Sequence, residues 1–491
     1  MKIHQLIKKL SKMDGEESHV PMVGSNHQPS GESSKLPQYL YTLAVTIGVF
    51  CGGAVIGWSS PALPELQSPN STLPLTPDQG SWVGSLLAIG SFIGALPAGS
   101  VADLLGRKLT IMSLSVPLLI SWSMIHFATS VNILYLARLL GGIGLGAICT
   151  TVPMYVSEIA EDSIRGALGS AFQLMLGSGL VYAYALGAVV HYTMLPLLCG
   201  VINILFLTVF FRAPESPMWL LKKDQRKRAE ESLQRLRGEK YNIYRELHAM
   251  EKEIANQNTQ KVPFLKAINK RSSILAMVIC LGMMFFQQMS GINIVIFFAG
   301  NIFKDAGSSM DSAVAAILVG LAGVIATLVA ASLIDRLGRK ILLQISATAM
   351  ALCLVVLGYY FHLKTSGSDV SSIGTVPLVS VIVYILMFGI AFGPIPWMIS
   401  GEVLPPEIKA TGTSIAVATN WFIAFTVTKS FQPLLDAVGP AVTYWIFACL
   451  NVLSFFFVTF VVIETKGKSL AQVQEELSGK RTKVGKTNGV V

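Results

Sequence analysis

The sequence predicts an all-α membrane protein of twelve transmembrane helices, arranged as two pseudo-symmetric six-helix halves. Three observations predict it. The 491-residue chain is 52% hydrophobic and only 13% charged, with a mean hydropathy of +0.59, whereas a soluble domain carries about 25% charged residues. Its apolar stretches approach about 20 residues, the length a helix needs to cross a bilayer. One phrase also occurs twice, Asp103-Leu104-Leu105-Gly106-Arg107-Lys108 and Asp335-Arg336-Leu337-Gly338-Arg339-Lys340, 232 residues apart and each time between two apolar runs.

The elements follow in order. Span 1 starts near Leu40 and runs into Gly57-Trp58-Ser59-Ser60-Pro61. Span 2 starts near Gly80 and ends at the first copy of the repeated phrase, and span 3 starts just beyond it near Leu109. Spans 4, 5 and 6 start near Ile133, Leu168 and Met194, and the sixth ends near Phe211. Charge then interrupts the pattern until spans 7 and 8 start near Ser273 and Ser312. The second copy of the phrase separates span 8 from span 9, near Ile341. Spans 10, 11 and 12 start near Pro377, Thr413 and Pro440, and the last ends near Ile463. The resulting divisions are a tail over 1–38, a six-helix half over 39–213, a helical linker over 214–272, a second half over 273–464 and a tail over 465–491. Two such halves facing one another are the machinery of alternating access.

Orientation follows from the excess of Lys and Arg in cytoplasmic loops. With both termini and the linker cytoplasmic, all but Arg138, Lys304, Lys364 and Lys429 of the 37 Lys and Arg residues lie inside or at inner helix ends. Asn70-Ser71-Thr72, an N-glycosylation triplet, then falls in the first outward loop. The expected location is an integral multi-pass protein of the plasma membrane. The net charge of +9 is what basic inner loops beside anionic lipid produce, so membrane lipid is an expected partner and nucleic acid is not. All six cysteines lie in predicted spans without metal-ligand spacing. No metal, cofactor, obligatory protein partner or catalytic motif is expected, which excludes an enzyme. In the N-terminal tail, Ile3, Leu6, Ile7 and Leu10 share a helical face, but so short a segment has marginal helicity.

The linker carries helix formers over Glu230–Glu253, with Leu233, Leu236, Ile243, Leu247, Met250 and Ile254 as an apolar stripe. Charged residues recur at equivalent ends of the halves. Glu158 precedes Arg165 by seven residues as Glu402 precedes Lys409, and Glu215 and Glu464 close spans 6 and 12. With Asp103, Arg107, Asp335 and Arg339 they make a candidate cytoplasmic gating network. Single exposed ion pairs are worth about 0–1 kcal/mol, so only a set of them biases a two-state equilibrium.

The paired Gly-Arg-Lys loops, Pro214-Glu215-Ser216-Pro217, Gln287-Gln288-Met289-Ser290-Gly291-Ile292-Asn293 and Gly393-Pro394-Ile395-Pro396-Trp397 resemble the sugar porters of the major facilitator superfamily, over about Tyr39 to Leu470. The span-1 sequence Gly57-Trp58-Ser59-Ser60-Pro61-Ala62-Leu63 is most similar to insect trehalose transporters and related vertebrate hexose transporters. The resemblance implies the major facilitator fold and a small-molecule sugar substrate, with Gln173, Gln287, Gln288, Asn293, Trp397 and Asn420 at the sugar-contacting positions.

The residues argue the same way. A polar side chain facing lipid is costly, so membrane Asn and Gln point to neighbouring helices or a wet cavity, and their amides match sugar hydroxyls as donors and acceptors. Pro394 and Pro396 deprive span 10 of two backbone donors and suggest a bend beside Trp397. Gly389 and Gly323 stand where many hexose transporters carry Glu and Asn, so the resemblance implies a roomier or differently hydrated site, compatible with a disaccharide. Lys409 replaces the family's usual Arg, so that contact becomes a point charge. Span 1 has no Asp or Glu, whereas proton-coupled members have an acidic residue there, so facilitative uniport of trehalose or a hexose is favoured. The alternatives are a proton-coupled sugar symporter and a non-transporting sugar receptor, against which the short C-terminal tail weighs.

Overall fold

The computed structural model describes residues 33–161, 163–259, 264–296, 302, 312–405, 407–468 and 470–479. The N-terminal Ile3–Leu10 face, Lys304 and the side chain of Asp335 lie outside the described residues. Nine helical stretches among the described residues are long and apolar enough to cross a membrane. The last of them, Lys409–Phe460, is two helices joined at Gly439, where φ is 77°. Adding the shorter apolar helix Leu195–Phe210 and the Gly- and Ser-containing Arg165–Gly187 brings the spans to twelve.

In the first half these are Leu36–Leu66, Pro77–Leu105, Arg107–His126 and Val131–Ile159, then Arg165–Gly187 and Leu195–Phe210. The second half holds Arg271–Ile296, Ser312–Leu337, Arg339–Thr365 and Ser371–Val403, then 409–438 and 440–460 on either side of Gly439. Local chemistry sets the boundaries. Span 2 starts at a reciprocal capping box between Thr76 and Gln79, with Pro77 in the first turn. It ends at Gly106, whose φ of 101° turns the chain into span 3. Spans 2 and 4 then cross in near backbone contact: a Cβ on Gly90 would lie 2.1 Å from the carbonyl oxygen of Leu139, the close approach that small residues permit in membranes.

The linker forms Pro217–Lys222, Arg226–Arg237 and Tyr244–Thr259, which bury Trp219, Leu220, Ala229, Leu233, Ile243 and Leu247 in a small core of their own. Arg237, buried at the end of the second of these helices, pairs with Glu246 at 2.6 Å and donates to the carbonyl of Ile159 at the end of span 4 at 2.9 Å. The linker is thereby docked beneath the first half. The end of the bundle that carries it is called the linker side below, and the opposite end the far side.

Candidate functional site

The repeated phrase folds into the same device twice. Glu215 accepts from the backbone N–H groups of Arg107 (3.0 Å) and Lys108 (3.1 Å), so its carboxylate caps the N-terminus of span 3. Glu464 accepts from Arg339 and Lys340, both at 3.0 Å, and caps span 9. An anion at a helix N-terminus satisfies open N–H donors and the helix dipole together. Gly106 and Gly338 are required there: a Cβ would fall 2.4 Å from Glu215 Oε2 or 2.6 Å from Glu464 Oε2. Burial pushes the Glu215 carboxyl above its usual range despite its backbone hydrogen bonds. For Glu464, burial works the same way but is outweighed by N–H donation from Lys466, Lys340 and Arg339, and its carboxyl sits below the usual range.

Each motif Arg then reaches along its own half. Buried Arg107 binds Asp103 at 2.8 Å and Glu158 at 2.9 Å. Arg339 binds Glu402 at 2.9 Å, and Thr465 donates to the other Glu402 oxygen at 2.5 Å. The equivalently spaced basic residues do something else: Arg165 donates to the carbonyl of Ala160 and exposed Lys409 to that of Gly401 at 3.0 Å. These contacts brace each half internally.

The sugar-site candidates of the second half come together. Asn420 Nδ2 donates to Gln287 Oε1 at 2.6 Å, Gln288 Nε2 donates to Asn420 Oδ1 at 2.9 Å, and Asn293 Nδ2 donates to Gln288 Oε1 at 2.6 Å. Four amides from spans 7 and 11 thus form one chain of hydrogen bonds. Gln287 Nε2 also donates to the carbonyls of Phe392 (2.7 Å) and Gly393 (3.0 Å). The Phe392 carbonyl lacks its helical donor because Pro396 has no N–H. The bend expected at the two prolines is present, as a π turn over Phe388–Phe392 followed by a new helix, Ile395–Val403, and half-buried Trp397 sits on that helix.

Gln173 lies apart from this chain, half-buried on span 5. It is one turn from Gly177, where a Cβ would meet Val324 of span 8 at 3.3 Å, so it sits on the face directed at the other half. Span 7 turns at Gly291, the flexible point between Gln288 and Asn293, where φ is 93°. Sequence reasoning missed two supports of that turn: Tyr384 donates to Ser290 O at 2.9 Å, and Asn451 donates to the same carbonyl at 3.2 Å. A lone membrane Asn in span 12 was the available signal for the last.

Gly389 and Gly323 lie where spans 8 and 10 face one another. A Cβ on Gly389 would lie 2.7 Å from Ala326 Cβ, and one on Gly323 would touch Ile385 at 3.5 Å. Spans 8 and 10 therefore approach closely at Gly389, while Gly323 makes room for ordinary contact only.

Two cations that broke the charge rule also find places. Arg138, fully buried in span 4, donates to the carbonyls of Val55 (2.8 Å) and Val83 (3.1 Å) and to Ser59 Oγ (2.7 Å), and stacks 5.1 Å from the Trp58 ring. Lys429 of span 11 binds Asp78 at the start of span 2, at 2.6 Å, and its ammonium lies 4.4 Å from the Trp82 ring centroid. Trp82–Phe425 and Phe92–Phe422 continue this contact between the halves, and Tyr184 of span 5 donates to Ile296 O of span 7 at 2.5 Å. Toward the linker side, Cβ atoms on Gly166, Gly169 and Gly401 would meet nothing within 4 Å. Among the described residues, the contacts of Lys429, Trp82, Phe92 and Tyr184 join the halves at the far side.

A family model described as sugar (and other) transporter matches residues 19–477. The chain belongs to this family. It is therefore an integral membrane protein of the major facilitator fold. The facilitated trehalose transporter Tret1 of Polypedilum vanderplanki is 37% identical over 453 residues, covering 90% of each chain. The protein of the same name from Drosophila mojavensis is 38% identical over 90% of this chain and 52% of its own length. The chain spans about half the length of several curated relatives it matches. Among solved structures, the xylose transporter XylE from E. coli in a partially occluded inward-open conformation aligns with a TM-score of 0.75, at 24% identity over 88% of this chain and 99% of that one. The proton:xylose symporter XylE bound to 6-bromo-6-deoxy-D-glucose aligns at 0.74, with 26% identity over 90% and 99%.

Proposed function

We propose that this chain is a facilitative sugar carrier, a uniporter moving trehalose or a hexose by alternating access. The observation that carries the proposal is the neutral amide chain Gln287–Asn420–Gln288–Asn293 in the membrane. Amides exchange hydrogen bonds with hydroxyls without a change of charge, and Gln173 and Trp397 complete the site from either side. The names of the Tret1 relatives support trehalose as substrate. Uniport is supported by Arg138, which faces the Ser59 hydroxyl of span 1 rather than a titrating carboxylate. The XylE likeness supplies the competing symport reading.

The linker side is the cytoplasmic side in this proposal, in the plasma membrane, with exposed Asn70 as an outward glycosylation site. Asp103, Arg107, Glu158, Arg165, Glu215, Asp335, Arg339, Glu402, Lys409 and Glu464 form the gating network of this proposal, and its described pairs brace each half internally when the inner side is open. They hold the halves together when it closes.

The test is uptake of labelled trehalose and glucose in cells lacking other sugar carriers, with and without a proton uncoupler. Uncoupler-resistant uptake of either sugar supports the proposal; loss of uptake with the uncoupler replaces it with symport, and failure with both sugars replaces it with a receptor or a carrier of a different sugar. Gln288→Leu leaves Asn293 Nδ2 and Asn420 Oδ1 without a partner at a cost of about 1–3 kcal/mol, so uptake should fall by about tenfold or more at unchanged surface expression. Native uptake by that variant removes Gln288 from the site.

A further inference from the structure

A cavity lies away from the amide chain. About 530 Å³ in volume, it opens where the start of span 3, the end of span 6 and the first two linker helices meet. Three cations line it, Lys108, Arg228 and Arg235, together with the carboxylates Glu215 and Glu231. Glu215 is already engaged by the backbone N–H groups of Arg107, Lys108 and Ser216. Lys108 lies 5.4 Å from the centroid of the Phe211 ring, and Arg235 donates to the Arg212 carbonyl at 3.2 Å. Neither cation has a carboxylate within ion-pair distance among the described residues. Elsewhere in the same linker, Arg226 and Arg237 each hold a glutamate.

The wall on the other side is apolar and exposed. Leu105, Leu109 and Phe211 are 47%, 55% and 66% exposed, and all three sit at ends of membrane spans, where exposed apolar surface faces acyl chains. The cations outnumber the carboxylates three to two, and Glu215, the acid nearest Lys108, spends its oxygens on backbone N–H groups, so the cavity beside such a surface matches an amphiphile with an anionic head. The volume exceeds what a bare phosphate fills and lies in the range of small-molecule pockets, about 300–1,000 Å³.

We propose that this cavity binds an anionic phospholipid, its headgroup phosphate held between Lys108 and Arg235 and its chains lying over Leu105, Leu109 and Phe211. Charge-assisted hydrogen bonds to phosphate supply the affinity. The bound lipid joins span 3 to the linker helix Arg226–Arg237 and strengthens the docking that Arg237 already provides.

The test uses the purified full chain in neutral detergent, with thermal unfolding followed as lipid is added. Phosphatidylinositol phosphate should raise the midpoint in a saturable way, and phosphatidylcholine should leave it unchanged. Inositol 1-phosphate or inorganic phosphate at equal concentration should also leave it unchanged. The double variant Lys108→Ala/Arg235→Ala should lose the response, whereas Arg226→Ala, outside the cavity, should keep it. Exposed Arg235→Gln alone should weaken the apparent affinity about tenfold, and provides the readout if the double variant does not fold. A native response from Arg235→Gln, an equal response to phosphatidylcholine, or a full response to the soluble phosphates would each overturn the proposal, the last by making the cavity a phosphate site.

Discussion

Removing Lys429 should release the far-side contact between the halves. Its ammonium makes two interactions there, the ion pair with Asp78 and the approach to the Trp82 ring. Asp78 is 70% exposed, so the pair contributes only about 0.2–1 kcal/mol. Lys429 itself is 20% exposed, and a partly desolvated cation over Trp contributes about 0.5–2 kcal/mol. Together these favour the far-side-closed state by about 1–2 kcal/mol, a factor of roughly 5–30 in a two-state equilibrium. Lys429→Gln should therefore raise the ratio of far-side-open to far-side-closed protein by that factor, read as the distance distribution between spin labels on the far ends of spans 2 and 11. Asp78→Asn keeps the ring contact and should give about a twofold to fivefold change. High salt should move the native protein toward Asp78→Asn and leave Lys429→Gln in place, because the exposed pair is screened. A Lys429→Gln distribution within twofold of the native one would refute the assignment.

Three further outcomes follow from the packing. Ser59→Asp gives Arg138 a carboxylate partner in place of the hydroxyl at 2.7 Å, and should make uptake pH-dependent where the native protein is not; flat profiles in both would remove Ser59 from the coupling argument. Gly389→Val drives side-chain atoms into Ala326, 2.7 Å from the added Cβ, and should cost about 1–3 kcal/mol of stability; if an Ala326→Gly background does not recover part of that loss in thermal unfolding, the contact is not the cause. Glu464→Gln should destabilise the second half by about 1–3 kcal/mol at neutral pH. Because the native carboxyl is held below its usual value, its contribution is complete above about pH 4.3 and is lost as pH falls through the lowered value. The difference in melting temperature between Glu464→Gln and the native protein should therefore shrink in acid, and a pH-independent difference would contradict this assignment.

Much of the candidate site's geometry was legible because a membrane leaves few options for polar groups. Gln287, Gln288 and Asn293 stand out in span 7, and Asn420 in span 11, as hydrogen-bonding side chains in apolar runs. They meet one another in the structure. Their division of labour was not legible: Gln287 spends its N–H groups on the carbonyls that the span-10 bend exposes, a role set by Pro396 more than 100 residues away. The small residues were less informative for a related reason. Gly389 and Gly323 state how much side-chain volume is missing, but the spacing of spans 8 and 10 decides whether that volume becomes cavity or contact.

The amino-acid sequence by itself determined the helical character, the two halves and the turn at each Gly-Arg-Lys loop. In hydrocarbon every backbone group must find its partner within its own helix, so hydropathy and local turn chemistry suffice. Tertiary structure decided which charges pair. Lys429 and Asp78 are 351 residues apart, Arg138 and Ser59 are 79 apart, and Glu158 is taken by Arg107 rather than by the nearby Arg165. Such pairings depend on how helices tilt and approach one another, and that is set by glycine contacts and bends summed over both halves, which no local stretch encodes.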